Sequence, residues 1–128
     1  MDKNYLIDTN ILIYYLNGNL PKKEIEFIES IFRNSFNIST ITKIEVLGWH
    51  RITKGERVRI ERFLSNAKVF YVNKTIEKKS IEIKQKFKIP TPDTIIGATA
   101  LENDFVVVTR NDADFKRIGK IKIYNPFE

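Results

Sequence analysis

Short runs of apolar residues alternate along the chain with stretches in which apolar residues recur every three or four positions. Residues 5–7 form an apolar run without polar alternation, which is typical of a strand buried on both faces. Residues 105–108 are the clearest strand in the chain, and shorter candidates lie at 37–39, 69–72 and 121–124. The pattern therefore predicts four to five strands separated by helices.

The helical stretches in the first half of the chain start and stop at recognisable residues. The first apolar face covers residues 11–16, and a second helix follows Pro21, a residue that fits the first turn of a helix. A third helix begins near Ile41, has Ile44 among its apolar positions and ends near Gly48. All three are short enough to connect neighbouring strands of a sheet.

Three more helices are predicted in the second half. Residues 52–64 form a helical region that we expect Gly55 to interrupt, and residues 74–88 keep a helical spacing. A helix over residues 92–103 is predicted to have Thr91 as its N-cap. Strands that alternate with helices imply an α/β fold with a mainly parallel sheet.

Composition limits the chemistry available to the chain. Its 128 residues are expected to form one domain, residues 1–128. The absence of cysteine excludes disulfides, thiolate metal sites and a cysteine nucleophile, and the single histidine, His50, excludes a two-histidine acid/base pair. No apolar run approaches the roughly 20 residues of a membrane span, and the N-terminus lacks signal-peptide architecture. We therefore expect a cytoplasmic protein with no membrane partner.

Positive charge is concentrated in the middle of the chain. The net charge is +6, and residues 50–88 contain twelve Lys and Arg against four Glu. That segment carries 12 − 4 = +8, so the remainder sums to −2. A basic middle suits a polyanion such as nucleic acid. One alternative is that the segment forms two ordinary helices with solvated basic faces. Another is a surface that binds an acidic membrane, which is disfavoured because the apolar faces of these helices are needed for the core.

Acidic residues fall where the predicted sheet would gather them. In open α/β sheets, sites form beyond the carboxyl ends of the strands. Asp8 directly follows the first strand. A helix that connects two parallel strands begins at the carboxyl edge of the sheet, so acidic residues near the start of such a helix are expected at the same edge as Asp8. The acidic positions expected at that one edge are Asp8, Glu45, Asp93, Asp112 and Asp114, with Asn111 beside the last two.

Carboxylates that converge in this way repel one another, and without a counter-ion one or more would take up a proton. A hard divalent cation such as Mg²⁺ or Mn²⁺ removes that difficulty and prefers oxygen ligands. Such an ion lowers the pKa of bound water and stabilises charge on a phosphodiester during displacement. The basic segment 50–88 would hold the nucleic-acid backbone beside this site.

Four of these acidic positions, those of Asp8, Glu45, Asp93 and Asp112, also have a purely structural interpretation. Asp8 fits a helix N-cap, and Asp93 is a charge that the helix dipole favours. Thr42 and Glu45 have the spacing of a capping box, and residues 111–112 fit the cap of a short helical turn. Spacing alone does not decide between these interpretations and a metal site.

Four segments in this order resemble the motifs of the PIN-domain family, and in particular the small bacterial VapC-type toxins of type II toxin–antitoxin systems. The likeness covers residues 4–127, essentially the whole chain. The segments are 8–10 (DTN), 42–47 (TKIEVL), 92–100 (PDTIIGATA) and 107–115 (VVTRNDADF), and the closing segment 124–127 (YNPF) is also similar. Residues 97–98 are Gly-Ala where many relatives have Ala-Ala.

The resemblance implies a PIN-like three-layer sandwich with a central, mainly parallel sheet of four to five strands flanked by helices. It implies a metal-dependent endoribonuclease that cleaves RNA, is usually dimeric and is held inactive by a cognate antitoxin protein. Carried over residue by residue, Asp8 and Asp93 match the principal Mg²⁺ or Mn²⁺ ligands and Glu45 the second acidic position. Asp114 matches the fourth, with Asp112 as a competitor. Asn10 and Thr109 match positions that orient the first carboxylate or a water.

Three other functions are compatible with some of these features. A structure-specific DNA nuclease would use the same metal site, although the chain has no room for a flap-threading insertion. A catalytically silent RNA-binding module would use the basic segment alone. A phosphate-accepting receiver domain would need an acidic pair near Asp8 and a Lys after a late strand, where residues 109–111 stand instead.

Overall fold

The computed structural model describes residues 3–128, and in that part of the chain five parallel strands form one sheet. Their spatial order is β3-β2-β1-β4-β5, and every pairing is parallel. The predicted α/β fold with a parallel sheet is thus confirmed. The strands are β1 (Tyr5–Ile7), β2 (Asn37–Ser39), β3 (Lys68–Phe70), β4 (Val106–Val108) and β5 (Lys122–Tyr124).

Helices connect the strands and cover both faces of the sheet. They are α1 (Thr9–Leu16), α2 (Lys22–Asn34), α3 (Thr40–Leu47), α4 (Lys54–Leu64), α5 (Lys74–Lys86), α6 (Thr91–Asn103) and α7 (Asp112–Arg117). Within residues 3–128, none of these helices is both long and apolar enough to span a bilayer.

The central strand β1 divides the core between the two faces. Tyr5 and Ile7 pack with buried residues of α1 and α2, whereas Leu6, between them, packs with α6. This alternation follows from the two-residue period of a strand, and all three residues are buried because helices cover both faces. Burial on both faces of the sheet therefore explains why residues 5–7 form an uninterrupted apolar run.

Several element boundaries differ from the sequence-based expectation. Gly55 does not interrupt a helix: α4 runs from Lys54 and begins with a capping box between Thr53 and Glu56. Gly55 lies in the first turn, where backbone N–H groups have no partner within the helix, so its weak helix propensity costs little there. Thr91 is not an N-cap either, because α6 begins at Thr91 itself and Pro90 precedes it.

Several apolar positions of the predicted elements lie outside the core. The predicted strand at residues 69–72 ends at Phe70, and Tyr71 and Val72 are exposed. Ile44, expected on the apolar face of α3, is 62% exposed. The third helix is only two turns long, so its periodicity defines a buried face poorly.

Candidate functional site

Asp8 lies at the carboxyl edge of the sheet, between β1 and α1, and its side chain is only 3% exposed. It is the N-cap of α1, and its Oδ1 accepts a hydrogen bond of 2.8 Å from the backbone N–H of Thr9. Its Oδ2 accepts one of 2.7 Å from the hydroxyl of Thr109, which follows β4. Asp8 is thus the N-cap of α1 through one oxygen, while Thr109 orients its other oxygen. The capping interpretation therefore does not exclude a role for Asp8 in a metal site.

The surroundings of Asp8 disfavour its charged form. Burial is the largest cause and raises the pKa of Asp8 from 3.8 to about 6. The hydrogen bond from Thr109 opposes this shift, while the nearby carboxylates of Asp93 and Glu45 add to it. Asp8 thus experiences the negative charge of two residues that are far from it in sequence.

Glu45 is connected to Asp8 through Thr9. The Thr9 hydroxyl donates to Glu45 Oε1 at 2.6 Å, and its oxygen lies 3.0 Å from the hydroxyl oxygen of Thr42. The proposed capping box of Thr42 and Glu45 is wrong, because α3 begins at Thr40 and its N-cap is Ser39. Sequence reasoning gave Thr9 no role, although its position directly after Asp8 was a usable signal.

Asn111 joins the other two carboxylates of the cluster. Its Nδ2 donates to Asp93 Oδ2 at 3.1 Å and to Asp114 Oδ2 at 3.2 Å. Burial raises the pKa of Asp93, and the charges of Asp114 and Glu45 raise it further, against the bond from Asn111. Sequence reasoning placed Asn111 at this edge but considered it only as a cap.

The two competing carboxylates of α7 have different partners. Asp112 pairs with Lys116 at 3.2 Å, and this hydrogen-bonded contact lowers the pKa of Asp112. Asp114 instead shares the amide of Asn111 with Asp93, and Arg117 lies 3.9 Å from its other oxygen. The geometry therefore connects Asp114, and not Asp112, to the rest of the cluster.

Asn10, in α1, and Thr109, after β4, are neighbours at this edge. The Asn10 Nδ2 is 3.5 Å from Thr109 Oγ1, and its Oδ1 accepts a hydrogen bond of 3.3 Å from the backbone N–H of Arg110. Thr109 contacts Asp8 directly, whereas Asn10 acts on it through Thr109. His50 lies beyond the end of α3 and is exposed beside Trp49.

The cluster has the donor chemistry of a hard divalent cation. Across residues 3–128, no three acidic or histidine side chains are close enough to ligate one ion together. In the same part of the chain, Asp8, Glu45 and Asp93 form no salt bridge with Lys or Arg. Mg²⁺ typically binds through one or two carboxylates and keeps several waters. The oxygen donors and the uncompensated negative charge fit that mode of binding.

The fold and this edge define an α/β protein with a carboxylate site at the end of its parallel strands. The sequence model of the PIN domain matches residues 5–121. The chain therefore belongs to the PIN-domain family. Among curated proteins, no sequence matches the chain significantly.

Solved structures of bacterial complexes contain chains that resemble this one over nearly its whole length. A chain of a toxin–antitoxin complex from Klebsiella pneumoniae is 28% identical, with a TM-score of 0.78 and coverage of 98% of this chain and 99% of that one. A chain of VapBC-1 from nontypeable Haemophilus influenzae is 26% identical, with a TM-score of 0.80 and coverage of 97% and 98%. A chain of DNA-bound VapBC from Salmonella typhimurium shares the fold at 22% identity, with a TM-score of 0.82 and coverage of 97% and 98%.

Proposed function

We propose that this protein is a metal-dependent endoribonuclease and the toxin of a toxin–antitoxin pair. One observation carries the proposal: hydrogen bonds from Thr9, Thr109 and Asn111 hold four carboxylates from distant parts of the chain at one sheet edge. Membership of the PIN family and the likeness to chains of toxin–antitoxin complexes support the same assignment. The four carboxylates are those of Asp8, Glu45, Asp93 and Asp114.

Asp8 and Asp93 are the residues we assign to Mg²⁺ or Mn²⁺, with Glu45 and Asp114 completing its surroundings. When bound, such an ion lowers the pKa of water and stabilises negative charge on a phosphodiester. Burial of Asp8 raises its pKa, so the protein favours a positive charge beside it. Glu45 is the exposed member of the four and therefore the one open to solvent and substrate.

The supporting residues fix the orientation of these carboxylates. Thr109 holds one oxygen of Asp8, Thr9 holds Glu45, and Asn111 holds Asp93 and Asp114. Carboxylates that are already oriented need no reorganisation when they bind a cation. In hydrolysis, a water oxygen would bond to phosphorus in line as the P–O ester bond breaks. The attacking water would lose a proton to solvent and the departing oxygen would gain one, so no covalent enzyme intermediate is needed.

The basic helices supply a surface for the RNA backbone. Most Lys and Arg side chains of residues 50–88 are exposed on α4 and α5. The whole segment 50–88, which also includes β3 and the flanking loops, has a net charge of +8 from twelve Lys and Arg and four Glu, and this charge offsets the negative site for a polyanionic substrate. Because RNA is the proposed substrate, we also place the protein in the cytoplasm.

The test is cleavage of RNA and of single-stranded DNA of the same sequence with Mg²⁺ or Mn²⁺. We expect RNA to be cut and Asp93→Asn to reduce the rate by at least about 100-fold. Mutation of a residue that only orients a metal ligand typically reduces activity 10–100-fold, and loss of the ligand itself is expected to reduce it more. The matched control is Asp104→Asn, an exposed aspartate that pairs with Lys122 away from this edge. Asp104 has a φ of 54°, a conformation that asparagine also tolerates.

Three results would contradict the assignment. Preferential cleavage of the DNA strand would identify a DNA nuclease on the same fold. Binding of RNA without any product, at every concentration of Mn²⁺, would identify a catalytically silent RNA-binding module. Equal loss of rate in Asp93→Asn and Asp104→Asn would show that the carboxylate cluster has no special role.

An apolar groove beside Glu45 is our candidate surface for the antitoxin. It encloses about 310 Å³ between α1, the end of α3 and α4. Its walls are mostly aliphatic, with Trp49 52% exposed, and its acidic side chains are Glu45 and Glu56. Apolar walls with two glutamates match a peptide segment that carries both apolar and basic side chains.

A binding experiment tests this assignment. We expect the protein encoded by the reading frame next to this gene to co-purify with the chain, and Trp49→Ser to weaken that complex at least about tenfold, as loss of a buried aromatic anchor does. The control is Val58→Ser, an exposed apolar residue of α4 outside the groove. Equal affinity of the two variants would place the partner elsewhere.

A second apolar surface is our candidate for the homodimer. Tyr71, Val72 and Ile81 are exposed next to the edge strand β3. Glu77 and Lys84 lie seven residues apart on α5 beside this surface. In an isologous dimer whose twofold axis passes between these two positions of α5, each Glu77 would lie opposite the Lys84 of the second copy.

A further inference from the structure

The side chain of Arg110 is exposed, but its guanidinium group has defined partners. It follows Thr109 at the exit of β4, and its Nη1 donates a hydrogen bond of 2.9 Å to the hydroxyl of Tyr14 on α1. Its guanidinium lies 4.2 Å from the ring centre of Phe127 and 5.3 Å from that of Tyr14. The two rings pack with their centres 4.9 Å apart. Arg110 thus lies against an aromatic pair.

The backbone of Arg110 is held by the same two segments. Its N–H donates to Asn10 Oδ1 on α1 at 3.3 Å, and its carbonyl accepts from Asn125 Nδ2 at 3.4 Å. Asn125 Oδ1 also accepts from the backbone N–H of Phe127 at 2.9 Å. One residue therefore connects α1, the exit of β4 and the C-terminal segment 125–127.

The neighbours of Arg110 are the residues that orient the carboxylate cluster. Thr109 donates to Asp8, and Asn111 donates to Asp93 and Asp114. Asn111 is also bound within the turn, since its backbone N–H donates to Thr109 Oγ1 at 2.9 Å. The turn 109–111 thus supplies the donors to three of the four carboxylates, and Arg110 is its middle residue.

We propose that Arg110 is a positioning residue of the site, which fixes the turn 109–111 by binding Tyr14 and Phe127. It contacts none of the four carboxylates, so its action passes through Thr109 and Asn111. Phe127, in the segment 125–127, thereby becomes part of what orients Asp8 and Asp93. This inference rests on the proposed nuclease function, because it assigns the turn a catalytic consequence.

A planar guanidinium is necessary for this arrangement. Arginine stacks on a ring and donates from a fixed fork at the same time, whereas lysine carries a compact charge without a plane. Arg110→Lys therefore keeps the charge and loses the combination of stacking and hydrogen bonding. Phe127→Leu removes the ring and leaves residue 110 unchanged, and Tyr14→Phe removes only the hydroxyl.

The experiment measures kcat and KM for RNA cleavage in Arg110→Lys, Phe127→Leu and the control Arg33→Lys, an exposed arginine at the end of α2. We expect kcat to fall about 10–100-fold in the first two, with KM within about twofold, as for residues that orient a site from behind. Arg33→Lys is expected to match the wild type. Thermal unfolding of each variant shows whether the chain is folded at the assay temperature.

A second measurement needs no activity and no metal. In two-dimensional ¹⁵N–¹H NMR spectra of the metal-free protein, the backbone and side-chain amides of Asn111 report on the turn directly. We expect both signals to shift in Phe127→Leu and Tyr14→Phe but not in Arg33→Lys. Unchanged Asn111 signals in both aromatic variants would overturn the proposal.

The kinetic result separates positioning from direct substrate binding. A raised KM with unchanged kcat in Arg110→Lys would show that Arg110 binds RNA phosphate, and would overturn the proposal. If the wild type cuts no RNA, the nuclease assignment fails, and the NMR measurement alone then decides whether Phe127 orients the turn. The two failures are therefore distinguishable.

Discussion

Asp8→Asn is expected to abolish detectable RNA cleavage, a loss of at least about 100-fold, without unfolding the chain. The substitution keeps the size of the side chain and an oxygen that can accept the bond from the Thr9 N–H. It removes the negative charge that we assign to the divalent cation. Rates of RNA cleavage with Mn²⁺, together with circular dichroism, measure the two parts of this prediction.

Calorimetric titration with Mn²⁺ provides the matching measurement without RNA. The wild type is expected to bind Mn²⁺, Asp8→Asn to bind it much more weakly, and Asp104→Asn to bind it like the wild type. If Asp8→Asn and Asp93→Asn both cleaved RNA at the wild-type rate, the carboxylate cluster would not be the active site. If folded wild-type protein took up no Mn²⁺, a metal-dependent mechanism would be untenable.

The metal-free protein is expected to lose stability as the pH rises from about 4 to about 7. The pKa of Asp8 is about 6 in the folded protein against 3.8 as its ordinary value, mainly because the side chain is buried. Between these two pH values the folded state binds more protons than the unfolded state, so the free energy of unfolding falls as pH increases. A shift of this size corresponds to on the order of 3 kcal/mol.

Urea unfolding in the presence of a chelator, at a series of pH values, measures this effect. Other groups also titrate in the range, and the pKa of Asp112 is shifted in the opposite direction. The comparison is therefore between the wild type and Asp8→Asn, whose difference isolates Asp8. The variant is expected to be the more stable of the two near pH 7, and identical pH profiles would contradict a buried, destabilised carboxylate at this position.

The sequence was sufficient for the sheet and for the convergence of acidic residues. Residues 5–7 and 105–108 were recognisable as buried strands because helices on both faces demand uninterrupted apolar runs. Asp8 and Asp93 could be placed together because a parallel sheet brings all its carboxyl ends to one edge. Neither inference required the position of a single side chain.

The hydrogen bonds inside the cluster could not be predicted from spacing. Thr42 and Glu45 have capping-box spacing, but Ser39 at the end of β2 begins the helix earlier and frees both side chains to approach Thr9. Asp112 and Asp114 differ by two positions on a short helix, and only the fold decides that Asp114 faces Asn111 while Asp112 faces Lys116. The catalytic roles of these residues remain predictions.

The pairing of β1 with β4 has a consequence for synthesis of the protein. Tyr5 lies opposite Val106, so the central contact of the sheet joins residues about a hundred positions apart. Asp8 leaves the ribosome about a hundred residues before Thr109 and Asn111, which follow β4. A nascent chain that ends before β4 has no complete catalytic centre, so the proposed nuclease would become able to cut messages only after residues 109–111 have been translated.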